Sequence, residues 1–291
     1  MRPYIFVAIF SFCLKNAFAD PLDALIPPGA EVKKLAGNFK FTEGPAWSPD
    51  GFLVFSDIAA NTLYRWLRTG EIEIVRTPSG HSNGNAFDRE GRLVSCLHDR
   101  RVVRAEKDGA ITTLAERFDG KRFNSPNDLA IKSDGAIYFT DPTYGLSRED
   151  VREIDFCGVY RIAPDGKLTL LTKELGKPNG IAFSPDEKLL YVDDCDTREI
   201  RVFDVQPDGS ITNNRRFAEM KDPVDQSVPD GMRVDPHGNV WCAGAGGVWI
   251  FAPDGKRLGI IRTPEEPANV TFGNKTLFIT ARPSLYSIEI K

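Results

Sequence analysis

Cysteine and histidine are scarce in this 291-residue sequence, and neither forms a zinc-binding pattern. There are five cysteines and three histidines, and no two cysteines have C-x-x-C spacing. A zinc site built on thiolates is therefore not expected. The cysteines that follow the N-terminal apolar segment are interpreted mainly as buried thiols, although their even number in an exported chain also permits disulfides. They are Cys96, Cys157, Cys195 and Cys242.

An excess of positive charge, a long amphipathic helical pattern and a linker are also missing. The formal net charge is -4, so neither nucleic acid nor an anionic membrane is expected as a partner. The length is sufficient for a large core. We expect one domain over residues 20–291, either monomeric or weakly oligomeric.

The N-terminus differs from the rest of the chain. Arg2 precedes an apolar run at residues 4–14, and residues 17–19 read A-F-A. These features are typical of a secretory signal peptide at residues 1–19, with cleavage after Ala19. The sequence therefore predicts an exported protein, periplasmic or secreted, that has no membrane contact once the signal is removed. An uncleaved anchor is the alternative.

The remaining sequence repeats a strand–turn–strand unit six times. The turns recur at intervals of roughly 35 to 50 residues, the length of a four-stranded propeller blade. The turn residues are Gly51, Gly91, Gly135, Glu187, Gly238 and Asn274.

A third alternating strand follows each unit, and four of these strands lead into an Asp-Gly turn that is typical of hairpins. The sixth unit lacks a fourth strand, which residues 31–35 can supply. Such an exchange would close the ring and remove its open edges. The predicted fold is all-β, a six-bladed β-propeller with four-stranded blades, closed by an N-terminal strand that completes the last blade.

Oxygen-bearing side chains recur eight residues before the turn in five of the units: Glu43, Asn83, Asn127, Asn179 and Asp230. In the sixth unit the turn is less regular, and alignment of Phe272 with Phe183 and Trp47 puts Ala268 at the equivalent position, with Asn269 next to it. Equivalent positions of a propeller converge at one end of the central channel. Carboxylates and amides together suit a hard divalent cation. Asn and Asp are also common turn formers, but turn chemistry does not require them at one register in five repeats.

Four short segments of the sequence resemble the gluconolactonase/regucalcin (senescence marker protein 30-like) family. The resemblance covers most of the chain, and two further segments are similar to its bacterial gluconolactonase branch. The first set is FTEGPAW at 41–47, NSPND at 124–128, KPNG at 177–180 and PDGM at 229–232. The second is TDPTYG at 140–145 and PANVTF at 267–272.

The resemblance implies a six-bladed propeller with a divalent cation held by Glu43, Asn127, Asn179 and Asp230. Asn83 would then be a fifth polar group that faces the site. Calcium is the expected ion, while Mg²⁺, Mn²⁺ or Zn²⁺ could also support turnover.

The implied activity is metal-dependent hydrolysis of a small-molecule sugar lactone, in which the cation polarises the carbonyl for attack by water. Asp230 is the candidate general base, and His81 is a second candidate because it lies near the expected channel mouth. The candidate substrate contacts are Asn83, Arg122, Asn124 and Tyr144. In some animal members, a substrate-contacting Arg directly precedes a Phe-Asn pair, whereas Arg122 is followed by Phe-Asn-Ser-Pro.

Two other functions remain open from the sequence. One is hydrolysis of another lactone, an aryl ester or an organophosphate at the same metal site, since all need similar groups. The other is a non-enzymatic propeller that binds a partner and holds a structural cation. The small polar loops expected at the channel mouth favour a small polar ligand.

Overall fold

The repeated strand–turn–strand units fold into six four-stranded antiparallel sheets in the computed structural model, which describes residues 21–291. The predicted signal peptide at residues 1–19 lies outside the described residues, so export stays a prediction. A short 3₁₀ helix, Pro21–Ala24, precedes strand β1, Lys33–Ala36. No helix within residues 21–291 has the length and apolar character needed to cross a membrane.

Each sheet is one blade, and its strands pair in chain order. Blade 1 contains β2 (Thr42–Trp47), β3 (Leu53–Asp57), β4 (Thr62–Trp66) and β5 (Ile72–Arg76). Blade 2 contains β6 (Ser82–Phe87), β7 (Leu93–Leu97), β8 (Arg101–Ala105) and β9 (Ile111–Ala115). A two-stranded hairpin follows, with β10 (Arg117–Phe118) and β11 (Lys121–Arg122). Blade 3 contains β12 (Leu129–Ile131), β13 (Ile137–Asp141), β14 (Gly158–Ile162) and β15 (Leu168–Thr172).

The second half of the ring follows the same plan. Blade 4 contains β16 (Pro178–Phe183), β17 (Leu189–Asp194), β18 (Glu199–Val205) and β19 (Ile211–Glu219). Blade 5 contains β20 (Met232–Val234), β21 (Val240–Gly244), β22 (Gly247–Phe251) and β23 (Arg257–Arg262). Blade 6 contains β24 (Asn269–Gly273), β25 (Thr276–Ala281) and β26 (Ser284–Glu289), with β1 as its fourth strand.

The ring closes as the sequence predicts. Strand β1 pairs antiparallel with β26, and Lys33 lies opposite Ser287. The first described strand therefore completes the last blade, and the two ends of the propeller share one sheet.

The six turn residues used to define the repeat all have a positive φ angle. The values range from 48° at Asn274 to 92° at Gly135. This left-handed conformation is easiest for glycine and is tolerated by asparagine, which explains five of the six residue types. Glu187 is the exception, with a φ of 57°.

The core is divided among the six interfaces between neighbouring blades. Each of six apolar clusters joins strands of two adjacent blades. Between blades 2 and 3, for example, Phe123, Phe139 and Tyr160 contact one another, with ring centroids 5.1 to 5.3 Å apart. The four cysteines that follow the N-terminal apolar segment are free and buried, as the sequence suggested. Burial of these large side chains stabilises the ring and fixes the orientation of each innermost strand.

Candidate active site

The innermost strands of three blades have a register shift where the oxygen-bearing side chains predicted to face the channel lie. The shifts fall between Glu43 and Ala46 in β2, between Ser82 and Asn85 in β6, and between Pro178 and Ile181 in β16. A bulge breaks the strict alternation of a strand and redirects a side chain.

In blades 3 and 5, the predicted ligands Asn127 and Asp230 lie just before the regular part of the strand. Their backbone amides still bond to the second strand, at the carbonyls of Thr140 and Ala243. Local irregularity at this position is thus shared by all five blades that carry an oxygen-bearing side chain there.

The five predicted side chains line one cavity of about 370 Å³: Glu43, Asn83, Asn127, Asn179 and Asp230. Seven other residues complete its wall: Phe41, Ile58, His98, Tyr144, Val228, Glu266 and Arg282. A larger depression, of about 720 Å³, lies between the N-terminal segment and blade 6. We take the smaller cavity as the site because the buried polar groups converge on it.

Two amide oxygens in this cavity have no hydrogen-bond partner within residues 21–291. They are Oδ1 of Asn83 and Oδ1 of Asn179, whose residues are 3% and 5% exposed. A buried amide oxygen that accepts no hydrogen bond is unfavourable. A bound cation would satisfy Asn179 Oδ1, because amide oxygens are ligands that hard cations prefer. Asn83 Oδ1 would face either the cation or a substrate hydroxyl.

The donor set consists of oxygen ligands alone. Within residues 21–291, no three His, Cys, Asp or Glu side chains gather around one point that could hold a metal ion. The predicted set has two carboxylates, Glu43 and Asp230, and relies on asparagine amides for the rest. The residues therefore fit a calcium-like cation and do not fit the nitrogen and sulfur ligands of a structural zinc site.

The two carboxylates have unusually high proton affinity. Burial, and then the charge of Asp128, raises the pKa of Glu43 to about 7. Removal from water, followed by the charges of Glu43 and Asp193, raises the pKa of Asp230 well above its ordinary value. The fold holds these groups close together against their mutual repulsion, and a divalent cation would favour their ionised forms.

A second polar layer lies one residue further along the innermost strands. At this position four blades have glycine, whereas blade 3 has Asp128 and blade 6 has Asn269. Asp128 is fully buried, and its Oδ2 lies 3.4 Å from Nη1 of Arg233. Asp193, also fully buried, raises the pKa of Asp230 by its charge. The sequence reasoning did not assign this layer, although the break in the glycine pattern at Asp128 and Asn269 could have signalled it.

The two histidines near the cavity differ from the sequence interpretation. His98, which was not among the candidate residues, lines the cavity, and its Nε2 accepts a hydrogen bond from Asn83 Nδ2 at 3.1 Å. His81, the second candidate base, lines a neighbouring depression, and its Nδ1 contacts the carbonyl of Ile58 at 2.9 Å. The structure therefore does not bring His81 into the wall that contains Asp230.

The other candidate substrate contacts are divided between the cavity and its surroundings. Tyr144 lines the cavity, and the Lys177 ammonium lies 3.9 Å from the centroid of its ring. Arg122 lies outside the wall and pairs with Glu153, with Nε 2.5 Å from the carboxylate. Asn124 is fully buried, and its amide donates to the Phe156 carbonyl at 2.8 Å. The structure thus places Arg122 and Asn124 in structural contacts, not in the cavity.

Aspartates at the ends of second strands hold the loops that lead into three innermost strands. The Asp57 carboxylate accepts from the amides of Lys40 and Phe41, at 2.8 and 3.0 Å. Asp194 accepts from Gly176 and Lys177, and Asp141 accepts from Asn124. Each carboxylate satisfies backbone donors just before a predicted ligand and thereby fixes the approach of the chain to the cavity.

Fold and cavity together define a class of protein: a six-bladed propeller with an oxygen-lined cavity formed by its innermost strands. Comparison with known proteins identifies the family. The family model described as SMP-30/Gluconolactonase/LRE-like region matches residues 41–282. The chain belongs to this family.

Individual relatives agree with this assignment. A gluconolactonase from Zymomonas mobilis is 36% identical, over 94% of this chain and 85% of its own length. The solved structure of a gluconolactonase from Xanthomonas campestris is 38% identical, with a TM-score of 0.87 over 93% of this chain and 92% of that one. Regucalcin from Agrobacterium tumefaciens is 21% identical, with a TM-score of 0.76 over 90% of this chain and 95% of that one, and shares the fold.

Proposed function

We propose that this protein is a lactone hydrolase that opens a sugar lactone with the help of a bound divalent cation. The observation that carries the proposal is the pair of unsatisfied amide oxygens of Asn83 and Asn179 in the same cavity as the Glu43 and Asp230 carboxylates. Named gluconolactonases among the relatives support the lactone as the substrate class.

Glu43, Asn127, Asn179 and Asp230 would hold the cation, and Ca²⁺ fits their oxygen donors best. When bound, the cation would supply positive charge that polarises the lactone carbonyl and favours the ionised forms of the two carboxylates. Asn83 would contribute a fifth oxygen toward the cation or toward a substrate hydroxyl.

Asp230 is the group best placed to take a proton from the attacking water. It lines the cavity and remains partly exposed to it, whereas Glu43 is only 3% exposed. The cation that Asp230 helps to hold would favour its ionised form, which is the form that accepts a proton, and would lower its basicity. His81 lies in another wall, so we assign the base to Asp230 alone.

The remaining wall suits a small ring that carries hydroxyl groups. Phe41, Ile58 and Val228 provide apolar surface, while Tyr144 and Arg282 provide polar ends. A sugar lactone has both kinds of surface, since its C–H faces are apolar and its hydroxyls form hydrogen bonds. Among aldonolactones, glucono-1,5-lactone is the first substrate to test.

Lactone hydrolysis followed by pH-stat on protein freed of divalent ions tests the proposal. We expect turnover to be low with chelator, to return with Ca²⁺ and to be absent in a folded Asp230→Ala variant. Folding is checked by circular dichroism.

No turnover of any aldonolactone by folded, calcium-loaded protein would reject the proposed activity. An aryl ester and an organophosphate assayed in parallel would then identify another hydrolase. If calcium binds while all of these substrates remain intact, the propeller is a binding module with a structural cation.

A further inference from the structure

Asn269 lies in the second polar layer of blade 6. It follows Ala268, which stands where each of the other five blades has an oxygen-bearing side chain. It is the first residue of β24 and is 1% exposed. Its Oδ1 accepts a hydrogen bond from the backbone amide of Val270 at 2.8 Å. This bond fixes which end of the amide is the acceptor, so the Nδ2 group is directed toward the carboxylates of the channel.

The Nδ2 group of Asn269 lies between two carboxylates from other blades. It donates to Glu43 Oε2 at 2.9 Å and lies 3.3 Å from Asp128 Oδ2. Arg233 Nη1 contacts the same Asp128 oxygen at 3.4 Å. One side-chain amide thus links a predicted cation ligand in blade 1 to a charge pair formed by blades 3 and 5.

The position of Asn269 depends on the absence of a side chain at Gly231. A Cβ added to Gly231 would overlap the carboxamide of Asn269, including its Cγ. Gly231 also donates its amide hydrogen to the Ala268 carbonyl at 2.8 Å. Blade 5 therefore leaves a space that the Asn269 amide fills, and the close approach of the two backbones holds it there.

We propose that Asn269 is a positioning residue that fixes the Glu43 carboxylate in the orientation needed to bind the divalent cation. The inference rests on the cation site of the proposed function. Asn269 donates to Oε2 of Glu43, as does the amide of Gly44, so both contacts constrain the same oxygen. Groups that hold a ligand in place commonly affect metal affinity nearly as much as the ligands do.

Calorimetric titration of ion-free protein with CaCl₂ tests the role of Asn269 without reference to catalysis. We expect Asn269→Ala to weaken calcium affinity about 10- to 100-fold. Asn239→Ala is the matched control, since Asn239 is also buried and also donates to a carboxylate, that of Asp235 at 2.8 Å. The control should change calcium affinity less than twofold. If Asn269→Ala does not fold, Asn269→Ser provides the same comparison with a smaller loss of packing.

A second readout separates positioning from a general loss of structure. Lactonase activity of Asn269→Ala should recover toward the wild-type value as CaCl₂ is raised, because weaker binding is overcome by concentration. In the double variant, Gly231→Ala should lower calcium affinity little beyond the loss caused by Asn269→Ala alone, since both changes act on the same contact.

Calcium affinity of Asn269→Ala equal to that of the wild type would overturn the positioning role while leaving the cation site intact. A wild-type protein that binds neither Ca²⁺ nor Mg²⁺ or Mn²⁺ would overturn the cation site and this inference together. Calcium binding without lactone hydrolysis would reject the proposed activity alone.

Discussion

Asn83 donates its amide hydrogen to Nε2 of His98 at 3.1 Å, while its own carbonyl oxygen stays buried and without a partner. The bond requires a neutral His98 with an unprotonated Nε2. Burial, and to a lesser degree the charge of His81, lowers the pKa of His98 to about 4, which keeps the ring neutral at ordinary pH. His98 therefore determines which end of the Asn83 amide is available in the cavity.

Replacement of His98 by leucine should reduce kcat/KM for the lactone about tenfold, since Asn83 loses the acceptor that orients it. The matched change is His81→Asn, because asparagine tolerates the positive φ of 50° at that position. We expect His81→Asn to keep kcat/KM within about twofold. A larger loss in His81→Asn than in His98→Leu would restore His81 as the catalytic histidine.

Calcium should raise the thermal stability of the protein through the Glu43 site. At a calcium concentration 100-fold above Kd, binding to the folded state adds about 2.7 kcal/mol. For a domain of this size, the melting temperature should rise by about 5 °C. Differential scanning calorimetry at pH 8, with chelator and with CaCl₂, measures the change.

Glu43→Gln should lose most of that calcium response, since it retains the volume of the side chain but not its charge. Without calcium it should melt above the wild type, because a carboxylate that is buried without a full counter-charge has been removed. An undiminished calcium shift in Glu43→Gln would place the bound ion elsewhere in the protein.

Asp141 should make the protein less stable as the pH rises from about 4 to about 7. Burial raises the pKa of this carboxyl to about 7 from an ordinary value of 3.8. Between these values the unfolded chain has released the proton and the folded chain has retained it, so the free energy of unfolding falls with increasing pH. The pKa shift corresponds to a decrease of about 4 kcal/mol in the free energy of unfolding, which is complete above pH 7.

Asp141→Asn should remove this pH dependence, since its amide oxygen can still accept from the Asn124 backbone, as Asp141 Oδ2 does at 2.8 Å. Urea unfolding at pH 4.5 and pH 8 measures both proteins. The variant should gain stability over the wild type at pH 8 and differ little at pH 4.5. An equal difference at both pH values would show that Asp141 does not titrate in this range.

Arg122→Ala should leave KM for the lactone within about twofold of the wild-type value. The side chain of Arg122 is 43% exposed and pairs with Glu153 outside the cavity. Loss of an exposed ion pair costs about 0 to 1 kcal/mol of stability, so the fold should persist. Steady-state kinetics and a urea midpoint test both expectations. A tenfold rise in KM without loss of stability would return Arg122 to the substrate contacts.

Much of the site was accessible from the sequence because the repeat sets a register. The turns at Gly51, Gly135 and Gly238 have the left-handed conformation that their residue type suggests. Counting back eight residues from the first five turns found the five oxygen-bearing residues that line the cavity at equivalent positions: Glu43, Asn83, Asn127, Asn179 and Asp230. The count succeeds because the distance along a strand is fixed by its geometry and is the same in each blade.

Residues outside this register were harder to place. Arg122 and Asn124 are close in sequence to Asn127, but the loop directs them to Glu153 and Phe156. His81 lies two residues from Asn83 but lines a different depression. His98, just after the end of β7, reaches Asn83. Loops have no fixed period, so proximity along the chain does not decide which side chains meet.

The sequence by itself determined the propeller, its six repeats, the closing strand and the ring of oxygen-bearing side chains, because these depend on strand period and turn conformation. Only the tertiary structure decided the second layer and the neighbours of the ring. The contact of Asn269 with Glu43 joins residues 226 positions apart. Such a contact exists only once the ring has closed, because closure brings the first and last blades together.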